Sequence, residues 1–374
     1  MRFLLFSLGK ISTGRKLVSL DSVNACQKTF LMKTQKNEFR KKPMPVLGNV
    51  SEGLISAKII SVLMIFALTI AFGCAKPEAE KQETKSDVQE IAEQPSQKIG
   101  VLLVNHGSHS KTWRQALLDL EANVKDSILG TGYVDGIKTA FMEYNEPSIA
   151  TRLKEFDAEN YSDVILVPIF LTVSPHSFDD IPTIIGQKED PQSMEMLKLE
   201  KIERYSPKAK THLAPLLDFT DILQKNVLRR TKALSQNPAE EGVVLIAYGD
   251  ETYTKQWSAL IDSIGHHISK NLGINEYAYG WCGHIARYRS DSTTVAVEKV
   301  LRTKSKAVVI PILVAHDENF QVRIIGGGIA KVPDYKNRVI YKPDAILPDE
   351  NIESWVIHIS TELANKIKTE KKEG

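Results

Sequence analysis

Two patterns of apolar residues alternate along residues 99–234. Residues 99–108 (IGVLLVNHGS) begin with consecutive apolar positions, and residues 163–171 (DVILVPIFL) form a second such run. Runs of this kind are typical of strands that are covered on both faces. Residues 111–129 instead place apolar side chains three and four positions apart, which predicts an amphipathic helix. The alternation predicts an α/β fold in which helices cover both faces of a mainly parallel sheet.

Polar residues that can carry chemistry follow the predicted strands. His106 ends the first apolar run, Glu143 ends the predicted strand GIKTAFME, and His176 lies in the loop TVSPHSFDDIP. Open α/β sheets bind ligands at the carboxyl ends of their strands, which makes His106 a candidate ligand-binding residue. Asp179 and Asp180, in the same loop as His176, are expected to shape the loop or cap its helix.

The second half of the chain repeats this plan. GVVLIAYGDE at residues 242–251 parallels IGVLLVNHGS, and AVVIPILVAHDENF at residues 307–320 parallels DVILVPIFLTVSPHSF. We therefore expect two tandem three-layer αβα units, residues 99–234 and residues 235–374, that face each other across a cleft.

The two copies are chemically unequal. Tyr248 stands where the first copy has His106, and no carboxylate in the second copy matches Glu143. His316 remains, but it lies three residues closer to its strand proline than His176 does, and we interpret it as a loop histidine. The active site is therefore expected in the first copy, with the degenerate second copy as a wall of the cleft.

Four ordered segments carry a resemblance to a known family. VNHGS, FMEYNEPSI, VPIFLTVSPHSFDDIP and HLAPLLDFTDIL resemble the sirohydrochlorin chelatases of the CbiX type, which are class II tetrapyrrole chelatases. The resemblance implies a lyase that inserts Co²⁺ or Fe²⁺, or else Ni²⁺, into sirohydrochlorin or a related tetrapyrrole, with no organic cofactor. It also implies His106, Glu143 and His176 as metal ligands, with His106 and Glu143 catalytic.

These residue types suit metal insertion, because imidazole binds first-row divalent ions and a nearby carboxylate completes coordination or relays a proton. Each residue also has a structural interpretation. His106 can belong to a tight turn, His176 to a loop, and Glu143 to a helix start, where acidic residues are favoured. A second functional interpretation is a non-catalytic extracytoplasmic protein that binds a metal or a haem or other tetrapyrrole.

The acidic substrate of this family calls for cationic residues along the cleft. Lys111, Arg114 and Arg152 are candidates by position, although each can equally be a solvated charge on a helix face. The family often has an arginine directly after HGS, and His109 occupies that place here.

Composition agrees with a globular protein, since 42% of the 374 residues are hydrophobic and 25% are charged. The 48 basic and 46 acidic residues leave a net charge of +2, which argues against a nucleic-acid partner. The three cysteines, Cys26, Cys74 and Cys282, form no CxxC pair, so neither a zinc ribbon nor a disulfide framework is indicated.

The first 98 residues are predicted to contain a targeting signal rather than a folded domain. No role is assigned to residues 1–57. Residues 58–74 begin with a lysine, continue with an apolar run of signal-peptide length and end in AFGC. This segment resembles a lipoprotein signal. Residues 75–98 are rich in Lys, Glu and Gln and predict a flexible tether. We expect lipidation of Cys74 and a membrane-anchored protein facing the periplasm. An uncleaved anchor and a cytoplasmic enzyme are the alternatives.

Overall fold

The computed structural model describes residues 97–217 and 221–373, which fall within one compact unit, Val88–Gly374. The N-terminal extension (1–57), the signal-like segment with Cys74, and nearly all of the tether lie outside the described residues. In the part of the chain that is described, no helix is long and apolar enough to cross a membrane.

The described strands form two four-stranded sheets in which every pair is parallel, with orders β2-β1-β3-β4 and β6-β5-β7-β8. The strands of the first lobe (residues 99–234) are β1 Ile99–Asn105, β2 Gly136–Phe141, β3 Asp163–Pro168 and β4 Lys210–Leu213. Those of the second lobe (residues 235–373) are β5 Glu241–Ala247, β6 Tyr277–Trp281, β7 Lys306–Ile312 and β8 Val339–Tyr341. The central strands β1, β3 and β5 are buried at every residue, as their consecutive apolar positions predict.

Helices connect the strands and cover both faces of each sheet. They are α1 Lys111–Gly130, α2 Ile149–Ala158, α3 Ile181–Ile184, α4 Pro191–Glu200, α5 Ile222–Leu234, α6 Thr254–Leu272, α7 Asp291–Leu301, α8 Gly327–Ile329, α9 Tyr335–Arg338 and α10 Glu350–Glu373. Two wide helical turns of π type, His176–Asp180 and Asn319–Gly326, precede α3 and α8. The predicted α/β class with two repeated units is confirmed.

Local side chains set several of the helix ends. Ser110 caps α1 by accepting a hydrogen bond from the Trp113 amide. Asp190 caps the start of α4, and Lys201 ends this helix in a left-handed backbone conformation. The closing helix of the first lobe, α5, begins at Ile222.

The two closing helices are exchanged between the lobes. Helix α5 packs against β7 and α6 of the second lobe, whereas α10 packs against α1 and β3 of the first. Asn226 of α5 donates to the Ile346 carbonyl at 3.2 Å, and Arg230 donates to the Pro311 carbonyl at 2.8 Å. One apolar core therefore runs through both lobes, and each sheet has its own core on its other face.

Candidate metal site

The turn after β1 places His106 beside Glu143. Gly107 has φ +102°, and a Cβ at this residue would lie 2.0 Å from the Glu143 carbonyl oxygen, so only glycine allows the close approach. The Glu143 amide donates to the His106 carbonyl at 2.8 Å. This bond continues the parallel register of β1 and β2 beyond the strands and holds the two residues side by side.

His176 reaches the same place from the wide helical turn that follows β3. Its Nδ1 lies 2.8 Å from an Asp180 carboxylate oxygen, one turn further along. A carboxylate only accepts, so Nδ1 carries the hydrogen and Nε2 keeps its lone pair. Asp180 thus orients the imidazole, which is the shaping role that the sequence indicated, whereas Asp179 pairs with Lys188 away from the cluster.

The structure brings the three predicted ligands together. One possible donor atom from each of His106, Glu143 and His176 lies within 4.8 Å of the others. Glu143 oxygens lie 3.9 Å from His106 Nε2 and 3.9 Å from His176 Nδ1, and the two imidazole rings meet edge to face at 4.8 Å. The Glu143 side chain is 6% exposed, against 33% for His106 and 27% for His176. Access to the cluster is therefore from the side of the imidazoles.

Hydrogen bonding leaves the same nitrogen of each histidine for a metal. His106 Nδ1 donates to the Gly107 carbonyl at 3.1 Å, as His176 Nδ1 donates to Asp180, so both Nε2 atoms are available. Metal-bound histidines usually donate their second ring nitrogen to a carbonyl or carboxylate in this way. These hydrogen bonds therefore fix the tautomer of both imidazoles, with the hydrogen on Nδ1.

The two histidines differ in charge. Burial, together with the neighbouring His176, lowers the pKa of His106 to about 4, so its imidazole is neutral near pH 7. Burial also disfavours the charged form of His176, but the hydrogen bond with Asp180 and the charge of Glu143 outweigh it and raise its pKa above the ordinary value. A metal that binds here therefore competes with a proton for His176 more than for His106.

Two neighbours of Glu143 were not predicted from the sequence. Tyr144 hydrogen-bonds the Glu143 side chain, and burial with that carboxylate raises the pKa of the phenol to about 12. Glu200, the last residue of α4, also hydrogen-bonds Glu143, and burial beside that carboxylate raises its pKa. Tyr144 adjoins Glu143 in the sequence, but nothing in the pattern of α4 indicates that Glu200 reaches the site.

A cavity of about 810 Å³ opens onto the histidines of this cluster, within the size range of small-molecule sites. First-lobe residues, among them His106 and His176, line it together with second-lobe residues such as Tyr248 and His284. The predicted cleft between the two units is thus confirmed. Ser108 Oγ donates to an Asp317 carboxylate oxygen at 2.9 Å and ties one lobe to the other beside the cavity.

The predicted cationic residues separate into two groups. Lys111 lines the cavity, whereas Arg114 donates to the Ser108 carbonyl at 2.6 Å and supports the turn. Arg152 donates to the Thr139 carbonyl at 2.9 Å and pairs with Glu155, and it does not line the cavity.

Two further residues complete the lining. Arg323 of the second lobe lines the cavity and was not predicted from the sequence. His109 also lines it, packing against Tyr144 at 4.7 Å, but it lies outside the three-residue cluster.

The second lobe has different residues at the three equivalent positions. The Gly283 amide donates to the Tyr248 carbonyl at 2.9 Å, which repeats the bond from Glu143 to His106 and makes Gly283 the counterpart of Glu143. Asn319 follows Pro311 by eight residues, as His176 follows Pro168, and each stands in the wide turn.

His316 is therefore not the counterpart of His176. Its Nδ1 lies 2.9 Å from the Pro343 carbonyl oxygen, to which it donates. Among the described residues, the cluster of possible metal donors is found in the first lobe.

The chain is similar to proteins of known family. The CbiX family model matches residues 100–234. A sirohydrochlorin cobaltochelatase of Methanococcoides burtonii is 34% identical over 100 residues, which cover 27% of this chain and 72% of that protein. One from Saccharolobus islandicus is 26% identical over 102 residues, 27% of this chain and 75% of that protein.

Solved structures share the fold. The sirohydrochlorin chelatase SirB from Bacillus subtilis subspecies spizizenii, in complex with cobalt, has a TM-score of 0.51 at 17% identity and covers 73% of this chain and 97% of its own. SirB from Bacillus subtilis with Fe³⁺ has a TM-score of 0.53 at 18% identity, and the match covers 73% of this chain and 98% of the SirB chain. Because 73% of the chain exceeds either lobe, the likeness extends over both.

Two parallel α/β lobes around a cleft define a protein of the chelatase fold class. The chain belongs to the CbiX-type chelatase family.

Proposed function

We propose that this protein inserts a divalent metal ion, Co²⁺ or Fe²⁺, into sirohydrochlorin or a closely related tetrapyrrole. The observation that carries the proposal is the cluster of His106, Glu143 and His176, whose donor atoms lie within 4.8 Å of one another beside the cleft. Membership of the CbiX-type family supports the same activity, since the relatives are named sirohydrochlorin cobaltochelatases. Imidazole and carboxylate serve both ions, so the donor set favours neither.

The reaction exchanges one metal ion for two protons. The ion enters as M²⁺, the two pyrrole N–H groups of the macrocycle lose their protons, and the neutral metal–nitrogen core forms without any change in oxidation state. The Nε2 atoms of His106 and His176 and the Glu143 carboxylate hold the ion while it loses water. As the ion passes to the macrocycle, these donors are freed next to the departing protons.

The groups of the site divide the work of holding the ion and of accepting those protons. His106 is neutral near pH 7 because burial lowers its pKa to about 4, so it can hold the metal without first losing a proton. Glu143 is buried but hydrogen-bonds Glu200, which is exposed. A proton taken by Glu143 therefore has a second carboxyl beside it on the way to water.

The test is direct chelation by the purified protein. Co²⁺ or Fe²⁺ and sirohydrochlorin are mixed with it, and the absorption spectrum is followed as the metal complex forms. We expect formation faster than the uncatalysed rate and loss of that acceleration in His106→Ala. The absence of acceleration, or an unchanged rate in His106→Ala, would contradict the proposal. Stoichiometric binding of metal or tetrapyrrole without product would instead identify a non-catalytic carrier.

We also propose that the enzyme is lipid-anchored through Cys74 and faces the periplasm. The support is the sequence alone, namely the apolar signal-like run in residues 58–74 and the polar segment that follows. Labelling cells with palmitate tests it: the wild-type protein should take up label and Cys74→Ser should not. Equal labelling of both, or activity confined to the cytoplasmic fraction, would contradict the anchor.

A further inference from the structure

A cluster of aromatic side chains in the second lobe lines the same cavity. The Tyr248 ring lies 6.3 Å from that of Tyr288 and 5.6 Å from that of Phe320, and the last two are 6.2 Å apart. The two tyrosine hydroxyls lie 2.9 Å apart, at hydrogen-bonding distance. Tyr288 is 47% exposed although it is a large aromatic residue. We call Tyr248, Tyr288 and Phe320 the aromatic wall.

The aromatic wall occupies the place where the first lobe has its metal donors. Tyr248 stands at the position equivalent to His106. A Cβ on Gly283, the counterpart of Glu143, would lie 2.8 Å from the Tyr248 ring, so the ring occupies the space that a side chain would need. Burial and the hydrogen bond with Tyr288 raise the pKa of Tyr248, so its phenol stays protonated and is a poor metal ligand. The second lobe thus presents ring surface where the first presents donors.

The aromatic wall and the metal cluster share one cavity. His106 and His176 of the first lobe line the same cavity as Tyr248, Tyr288 and Phe320 of the second. The two sets of residues therefore approach the cavity from opposite lobes.

We infer that the aromatic wall is the surface against which the tetrapyrrole packs one face of its flat macrocycle, while the metal reaches the other face from the first lobe. The inference rests on the proposed function. A conjugated macrocycle needs extended ring contact, and aromatic groups stack in offset or edge-to-face arrangements at such separations. Lys111 and Arg323, which line the cavity, are placed to meet acidic substituents at the macrocycle edge.

Binding of the tetrapyrrole and of the metal, measured separately, tests this assignment. Metal-free sirohydrochlorin is titrated into the purified full chain and followed by absorption, and Co²⁺ affinity is measured without the macrocycle. The variants are Tyr288→Leu and the double variant Tyr288→Leu/Phe320→Leu. We expect the Kd for sirohydrochlorin to rise in both, and by about tenfold or more in the double variant, because each lost ring removes stacking and apolar contact. The Co²⁺ affinity of both variants should stay within about twofold of the wild-type value, because the metal donors are in the first lobe.

Matched controls keep the test decisive. Tyr133→Leu removes a partly exposed tyrosine that does not line the cavity and should change neither affinity. Tyr288→Phe keeps the ring and should bind sirohydrochlorin nearly as the wild type does. If the double variant does not fold, the exposed Tyr288→Leu change alone carries the test, with a smaller rise in Kd expected.

The outcomes separate the inference from the proposed function. Unchanged sirohydrochlorin affinity in Tyr288→Leu and in the double variant, with chelation intact, overturns the aromatic wall and leaves the proposed function standing. Chelation absent from the wild type, with sirohydrochlorin binding weakened in these variants, overturns the proposed function and keeps the binding surface. A wild type that does not bind sirohydrochlorin overturns both.

Discussion

The two lobes share a topology but differ where their strands end. β1 and β5 both occupy the second position of a four-stranded parallel sheet and both lead into a turn that contains a glycine with positive φ, Gly107 or Gly249. The first lobe continues with donors, whereas the second continues with a tyrosine, a glycine and an asparagine. The fold is kept without the donors, so His106, Glu143 and His176 are not needed to build it.

The exchanged helices explain how the two lobes can carry different residues along one cleft. The exchange of α5 and α10 joins the two sheets through one core, which fixes the cleft between them. With that geometry fixed, one lobe is sufficient to supply metal donors, and the other is free to supply the opposite wall.

The largest effect is expected from removing a donor. His176→Ala should weaken Co²⁺ binding about 100-fold or more, because one of three ligands is lost. Asn319→Ala, at the equivalent place in the second lobe, should leave Co²⁺ affinity unchanged. Calorimetric titration of both variants checks this. Similar losses in both would mean that the lobes share metal binding.

The next effect concerns the two turn glycines. Gly107→Ala places a methyl group 2.0 Å from the Glu143 carbonyl oxygen, and Gly249→Ala places one 2.7 Å from the Trp281 ring. Each should lower the free energy of unfolding by about 2–5 kcal/mol through backbone strain and overlap. Only Gly107→Ala should also weaken Co²⁺ binding, because it displaces Glu143. Denaturant unfolding and Co²⁺ titration, on the same samples, separate the two effects.

A smaller effect follows from the charge on His176. Its raised pKa means that below this pKa a proton occupies Nε2, so Co²⁺ affinity should rise with pH and level off above it. Asp180→Asn removes the carboxylate that raises this pKa, so the levelling should move to lower pH. The affinity at high pH should fall about 10- to 100-fold as the imidazole is less well oriented. A pH series of Co²⁺ titrations measures both changes. Identical profiles for the wild type and Asp180→Asn would show that Asp180 neither raises the pKa of His176 nor orients its imidazole.

The smallest effect is expected at the cavity edge. Lys111→Ala should raise the KM for sirohydrochlorin a few-fold, in keeping with about 0.5–1 kcal/mol for an exposed charge contact. Arg152→Ala, whose side chain supports the Thr139 carbonyl instead, should leave KM unchanged. Steady-state chelation kinetics compare the two, and an equal rise in both would show that KM reports stability rather than contact.

The elements that the sequence predicts well are those whose signal is local. β1 and β3 are consecutive apolar runs, and the repeat of the β1 pattern in β5 reveals the second lobe. The set of His106, Glu143 and His176 comes from the family resemblance, and its convergence agrees with the rule that carboxyl ends of neighbouring parallel strands meet at one edge.

Other features depend on contacts between distant segments. An amphipathic pattern shows that α5 has a buried face, but it does not tell which sheet covers that face, so the exchange with α10 is visible only in the structure. Glu200 reaches Glu143 from the far end of α4, and no spacing in the sequence indicates it.

The position of bound Co²⁺ tests the contrast between the lobes most directly. Crystals soaked with Co²⁺ and measured at the cobalt absorption edge locate the ion by its anomalous scattering. We expect the ion at about 2.0–2.3 Å from the Nε2 atoms of His106 and His176 and from a Glu143 oxygen. An ion held by His284 or His316 of the second lobe, with the three first-lobe residues unliganded, would contradict the account.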